Sequence, residues 1–187
     1  MTDWPVDLRG VTESVVTTRG PNDRWNVAAL GLYDTDPVSA RTWGRTRTRR
    51  NFEREGEGYV QFTRDPLTFV DAALAVREVE DPVLDDADAW VRVEADRTRS
   101  GADGDTEWVE WHLRPVESAV EREVVPTIDR GMNAVIEATV WASRLDVPAY
   151  DRGELADRLD YLEGVVRTCG GDREQVAWER IEDLVEW

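Results

Sequence analysis

The 187-residue chain carries 40 acidic side chains against 23 basic ones, a formal net charge of −17, with 41% hydrophobic residues. That length and apolar fraction suffice to pack a core for one domain, or for a main domain with a helical appendage. A single cysteine, Cys169, and a single histidine, His112, exclude a disulfide framework and a Cys/His zinc set.

Every basic residue is arginine and none is lysine. A lysine-free, carboxylate-dense surface suits a cytoplasm near salt saturation, where a Debye length of about 3 Å at 1 M salt screens the self-repulsion of the acidic coat. The expectation is a soluble, cytoplasmic protein of a halophile, because "MTDWPVDLRG" has neither a basic leader nor an apolar stretch and no window approaches a membrane span.

In chain order, "VTESVVTT" and "WNVAALGLY" are β-prone and flank "RGPNDR", which has the Gly, Pro, Asn and Asp of a turn, so Leu8 to Tyr33 reads as a hairpin. "PVSARTW" reads as a third strand ending at Gly44, followed by a short helix from Thr46 or Thr48 to Glu55 and by the strand "GYVQF". Asp65 and Pro66 signal a helix start, with Leu67, Val70 and Leu74 at helical spacing. "AWVRVEAD" and "EWVEWHLR" alternate apolar and polar residues, which predicts a second hairpin joined by the polar loop "RTRSGADGD".

After Pro126 the period becomes helical. Ile128, Met132, Val135, Ile136, Thr139, Val140 and Ser143 form one face of a first helix. Leu155, Leu159, Leu162, Val165 and Val166 form the face of a second, opened by Asp151 and Glu154 at capping-box spacing; Ala177, Ile181, Leu184 and Val185 form that of a third, with Asp172 as its cap.

Nucleophile and nucleotide signatures are absent: no G-x-S-x-G, no P-loop and no G-x-G-x-x-G. Asp85, Asp86 and Asp88 could approach a hard cation, but in so acidic a chain they read as solvated surface and no metal site is assigned. His112 falls on the polar side of its strand, and Cys169 ends an amphipathic helix. Of the nine tryptophans, those on alternating or helical faces read most simply as core or interface anchors, and two or three beyond core needs would suit an oligomer interface or a stacked planar ligand.

"GRTRTRRNF", residues 44 to 52, concentrates arginine in an acidic chain. One reading is a solvated helix whose arginines pair with Glu53, Glu55 and Glu57. A nucleic-acid interface is a second, but its counterion-release affinity falls steeply with salt. The third is one phosphate monoester, held at a helix start by the hydroxyls of Thr46 and Thr48, forks from Arg45, Arg49 and Arg50, and the amide of Asn51. In "NVAALGL", Ala28, Ala29 and Gly31 leave room either for a planar ring to approach the backbone or for helices to pack.

Taken in order, "ESVVTT", "WNVAALGLY", "GRTRTRRNF", "GYVQFTRDPLTFVDAAL", "LDDADAWVRVEA" and "IDRGMNAVIEATVWASRL" resemble the domain of unknown function 447 family, within the FMN-binding split-barrel superfamily. The resemblance covers almost the whole chain. It implies an α+β fold: a split antiparallel β-barrel over 1–122, followed by a three-helix region over 123–187. It also implies FMN bound noncovalently at a homodimer interface. By the same resemblance the phosphate would lie near Thr46, Thr48 and Asn51 with Arg45 or Arg49 in support, and the ring along Asn26, Ala28, Ala29 and Gly31. Asp129 stands where the family commonly has asparagine, while Arg130 and Asn133 keep the pattern. The activity implied is that of a flavin-dependent oxidoreductase, flavin reductase-like, whose electron donor and acceptor the sequence does not name; the alternative is a non-catalytic flavin-binding module. Neither nucleic acid nor membrane is an expected partner.

Overall fold

In the computed structural model, which describes residues 3–187, strands β1 (Val11–Arg19) and β2 (Trp25–Tyr33) form an antiparallel hairpin around the Gly20–Arg24 turn. The Gly20 amide donates to the Arg24 carbonyl at 2.7 Å and closes that turn. Strand β3 (Ser39–Trp43) follows, then helix α1 (Arg47–Glu55), β4 (Glu57–Phe62), helix α2 (Pro66–Leu74), the short β5 (Arg77–Val79), and the long pair β6 (Ala89–Asp103) and β7 (Thr106–Val120). Neighbours run β1-β4-β6-β7-β3-β2, and the β1–β2 pairing closes the circuit into a six-stranded antiparallel barrel, with β5 added on the edge of β2. This is the expected split barrel. Closure pairs the edges that an open sheet would leave exposed to association.

Period-two alternation fills the interior. Leu30 and Leu32 of β2, Val91 and Val93 of β6, and Val109, Trp111 and Leu113 of β7 all point into one buried cluster. Helix α1 inserts Phe52 into it, 1% exposed, with its ring 5.2 Å from that of Trp111. Gly58 makes room for that ring, because a Cβ there would stand 3.0 Å from Phe52 and 3.1 Å from the Thr17 carbonyl. Thr46 caps α1 by accepting from the Arg49 amide at 3.3 Å, and Gly56 ends it.

The polar stretch "RTRSGADGD" is not a loop. Residues Arg97–Asp103 continue β6 and pair with β7 as far as Asp103↔Thr106, leaving a turn at Gly104 and Asp105. This part of the ribbon is largely exposed, so its sequence lacks the apolar alternation that marks a half-buried strand. Strand β5 was equally silent, being three residues long with no fully buried side chain.

The chain divides into two compact units: residues up to Thr63 with Arg77–Val124, and Arg64–Val76 with Val125–Trp187. In the second unit, α2 joins α3 (Arg130–Ala142), α4 (Arg152–Cys169) and α5 (Asp172–Leu184) around Val135, Leu159, Val166, Trp178 and Ile181. Asp65 caps α2 through the Thr68 amide at 2.8 Å, and Asp151 caps α4 through the Glu154 amide at 2.9 Å. Two sequence assignments shift. Asp129 caps α3, so Ile128 precedes the helix and is 97% exposed, and α5 begins on Asp172 with Gly171 as its cap.

Candidate functional site

The turn between β1 and β2 meets α1 and β5 around a cavity of about 540 Å³. Its walls come from Gly20, Pro21 and Asn22 of the turn, Asn26 of β2, Arg47, Arg50, Asn51 and Arg54 of α1, and Glu78 of β5. The register explains the meeting: Thr18, Asn26 and Glu78 stand side by side across β1, β2 and β5. Asn51 fastens α1 over that row by donating to the Thr18 hydroxyl at 3.0 Å and the Thr18 carbonyl at 3.3 Å, and its own carbonyl accepts from Arg54 at 3.2 Å.

The cations of this cavity are not equivalent. Arg47 donates to Glu78 at 2.7 Å, and the same carboxylate accepts from the Asn22 amide at 3.0 Å. Arg54 pairs with Glu55 at 2.5 Å and donates to the Arg19 carbonyl. The Arg50 guanidinium has no ion pair and no hydrogen bond among the described residues. The side-chain amide of Asn26 likewise makes no hydrogen bond among the described residues, and its polar atoms reach the cavity although the residue as a whole is only 5% exposed. With Arg50 beside it on the same cavity, the Asn26 amide describes a place for a polar, anionic group.

Above the cavity, β2 is paired along its whole length to β1, whereas its other edge is shared. Strand β5 pairs with Trp25, Asn26 and Val27, and β3 with Leu32 and Tyr33. Between them, Ala28, Ala29, Leu30 and Gly31 have no strand on that edge among the described residues. Alternate N–H and C=O groups of such an edge point away from β1 and are free to bond a ligand.

Of the residues singled out from the sequence, Asn26, Arg50 and Asn51 line the cavity, and Ala28, Ala29 and Gly31 form the open edge. The side chain of Ala28 packs against the barrel core, and alternation puts Ala29 and Gly31 on the opposite face. What the four strand residues share is a backbone edge. Thr46 spends its hydroxyl on the helix cap, and Thr48 is buried beneath α1. Arg49 turns from the cavity: its guanidinium donates to Glu53 at 3.2 Å, to Glu107 at 3.3 Å and to the Gly44 carbonyl at 3.1 Å. The hydrogen bond to Glu53 and the nearby Glu107 raise its pKa above the ordinary guanidinium value. Arg45 is exposed and unpaired among the described residues. Arg130 and Asn133 lie on the exposed first turn of α3 in the helical unit. Asp129 accepts there from the Gly131 and Met132 amides at 2.8 and 3.1 Å, a capping role that an asparagine oxygen could also fill.

Sequence reasoning missed Arg47, Arg54 and Glu78. The "RGPNDR" turn, read only as a connection, is also a wall of the cavity through Gly20, Pro21 and Asn22.

Family models for a protein of unknown function, DUF447, match the chain over residues 12–122 for the N-terminal domain and 129–183 for the remainder. The chain belongs to the DUF447 family. Among solved structures, the DUF447 chain is similar to an FMN-bound family member from Methanosarcina mazei, with a TM-score of 0.84 and 24% identity over 95% of this chain and 96% of that one. Nitrilotriacetate monooxygenase component B from Bacillus cereus gives a TM-score of 0.45 at 14% identity, covering 64% of this chain and 74% of its own. The styrene monooxygenase flavin reductase of Pseudomonas putida gives 0.43 at 11%, covering 63% and 93%. The Methanosarcina structure bears out the fold of the DUF447 chain, and the two weaker likenesses carry no argument.

Proposed function

We propose that this protein is an FMN-binding flavoprotein and a flavin-dependent oxidoreductase, with the phosphate in the α1 cavity and the isoalloxazine ring along the open edge of β2. The observation that carries the reading is the placement of an unpartnered arginine, Arg50, and the cavity-facing amide of Asn26, which makes no hydrogen bond among the described residues, on one cavity beside that edge. The FMN bound to the Methanosarcina mazei member of the same family supports it. The residues fit the group. Arg50 is free to fork onto a phosphate dianion, and Arg47, fixed by Glu78, adds a second cation. Asn26 supplies an amide to the phosphate or the chain that bears it. Three residues of strand separate Asn26 from Ala29, about 10 Å, a span suited to a five-carbon chain between a phosphate and a ring.

Each part of the protein then has a defined task. The backbone groups of Ala28–Gly31 hold the ring edge, and the absence of large side chains at Ala29 and Gly31, on the face opposite the core, lets it approach. Arg49 and Thr46 fasten α1 on the side away from the cavity, and of the helix-start residues first expected at the phosphate, Arg45, Thr46, Thr48 and Arg49 are proposed to leave the direct contacts to Arg47 and Arg50. Bound FMN supplies the electron and hydride transfer chemistry. No side chain of the cavity is a proton donor suited to neutral pH, so the protons of turnover come from solvent or substrate. The homodimer belongs to the same proposal, with Val11 and Val120, each 55% exposed, as apolar surface available to it, and so does the salt-rich cytoplasm that the acidic composition suits. No helix among the described residues is long and apolar enough to cross a membrane.

The test is direct. Purified protein is expected to be yellow, or to become so on adding FMN, with the mass of a dimer in solution; a colourless preparation that takes up no FMN overturns the cofactor. If it is yellow but neither NADH nor NADPH bleaches it anaerobically, the nicotinamide-linked reductase reading falls and the non-catalytic flavin module takes its place.

A further inference from the structure

The outer wall of the barrel holds a second arrangement. Alternation turns Tyr33 of β2, Arg41 of β3, Trp108 and Glu110 of β7, and Arg99 of β6 outward. The Arg41 guanidinium carbon lies 4.7 Å from the centre of the Trp108 ring and 5.6 Å from that of Tyr33. The Trp108 indole in turn lies across Gly101 of β6, where a Cβ would stand 2.6 Å from the ring.

Beneath Arg41, the Glu110 side chain is only 7% exposed. Arg99 meets it with Nε at 2.5 Å and Nη2 at 3.1 Å, and Arg41 adds its Nε at 3.0 Å. The hydrogen bond from Arg99, aided by that from Arg41, holds the carboxyl below its ordinary pKa in spite of its burial. Arg99 alone gives the carboxylate a two-pronged partner, so Arg41 is a surplus cation. Its two terminal nitrogens have no partner among the described residues, and about a third of its side chain, 32%, is exposed. A guanidinium whose plane is fixed by two rings and one buried carboxylate gives up little freedom when it binds an anion.

We propose that Arg41 is an anion fork that binds a planar, conjugated carboxylate on the outer wall of the barrel. Two in-plane nitrogens match the two oxygens of a carboxylate. The flat body of such a ligand has the indole of Trp43 to lie on, 43% exposed and paired across the strands with Trp108. Tyr33 follows the open edge of β2 by two residues, about 7 Å of strand, which sets the fork beside the proposed ring site. Only that last relation rests on the flavin reading; the binding of the carboxylate does not.

The experiment is calorimetric titration of FMN-treated protein with benzoate and with its neutral isostere benzamide at fixed ionic strength, with FMN uptake read from visible absorbance in the same samples. Wild type is expected to bind benzoate about tenfold or more tightly than benzamide. Arg41→Met is expected to abolish that preference with benzamide binding unchanged, and Arg41→Lys to retain part of it, since an ammonium keeps the charge without the plane. FMN uptake should be the same in all three. Equal binding of the two probes by wild type, or a benzoate preference that survives Arg41→Met, overturns the fork. So does an Arg41→Met protein of smaller particle mass and unchanged benzoate binding, which would make the wall an interface between copies. Loss of benzoate and benzamide binding together, with a lowered melting temperature, would make Arg41 a structural staple. Failure of FMN uptake alone would strike the flavin reading and leave the fork standing.

Discussion

The two sides of α1 put neighbouring arginines to opposite uses. On one side Arg49, with 14% of its side chain exposed, is spent on Glu53, Glu107 and the Gly44 carbonyl, and it ties the helix to the start of β7. On the other side Arg50 is exposed and unpaired among the described residues, facing a cavity with an equally unpartnered amide. In a chain of formal charge −17 a carboxylate partner is never far away. A cation left without one beside a polar cavity is therefore more informative than a cation that is well paired.

Removing what the two sides share gives the largest effect. Phe52→Ala takes from the barrel the ring that anchors the whole helix. It is expected to cost about 3–5 kcal/mol, read as a lower denaturant midpoint, with the differences between the two sides of α1 lost together. Arg50→Ala separates the sides: FMN affinity should fall about tenfold to a hundredfold, the worth of charge-assisted hydrogen bonds, while the melting temperature stays within error. Arg49→Ala should do the reverse, costing about 1 kcal/mol of stability with FMN affinity nearly unchanged. A loss of FMN as large as that from Arg50→Ala would return Arg49 to the phosphate.

A contrast away from the helix is pH-dependent. Glu110 has a folded pKa below the usual carboxylate value, so its pairing with Arg99 and Arg41 stabilises the protein above about pH 4.3, the unfolded value, and that contribution is lost as pH falls through the lower folded value. Melting temperatures of wild type and Glu110→Gln should accordingly differ most near neutrality and converge in acid. A constant difference down to pH 3 would deny Glu110 this role.

Much of the barrel was legible because its strands are half-buried: Val91 and Val93, or Val109 and Trp111, alternate with charged residues as the pleat requires. The distal β6–β7 ribbon was not, since an exposed ribbon has no apolar face to betray its period. The site divided the same way. Asn51 and the small residues of β2 could be named from local pattern, and Asn26 from the family resemblance. The partition between Arg49 and Arg50 could not, because it depends on Glu107, 58 residues along the chain, reaching back to Arg49. Nor could Glu78, which enters the cavity wall only through the pairing of β5 with β2.

The central claim is that the α1 cavity holds the phosphate of FMN, and the most direct measurement is the ratio of FMN to riboflavin affinity in wild type and in Arg50→Ala. Wild type should prefer FMN strongly, and the substitution should erase most of that preference while riboflavin binds as before. An FMN-to-riboflavin ratio that is the same in both proteins would contradict it and place the phosphate elsewhere.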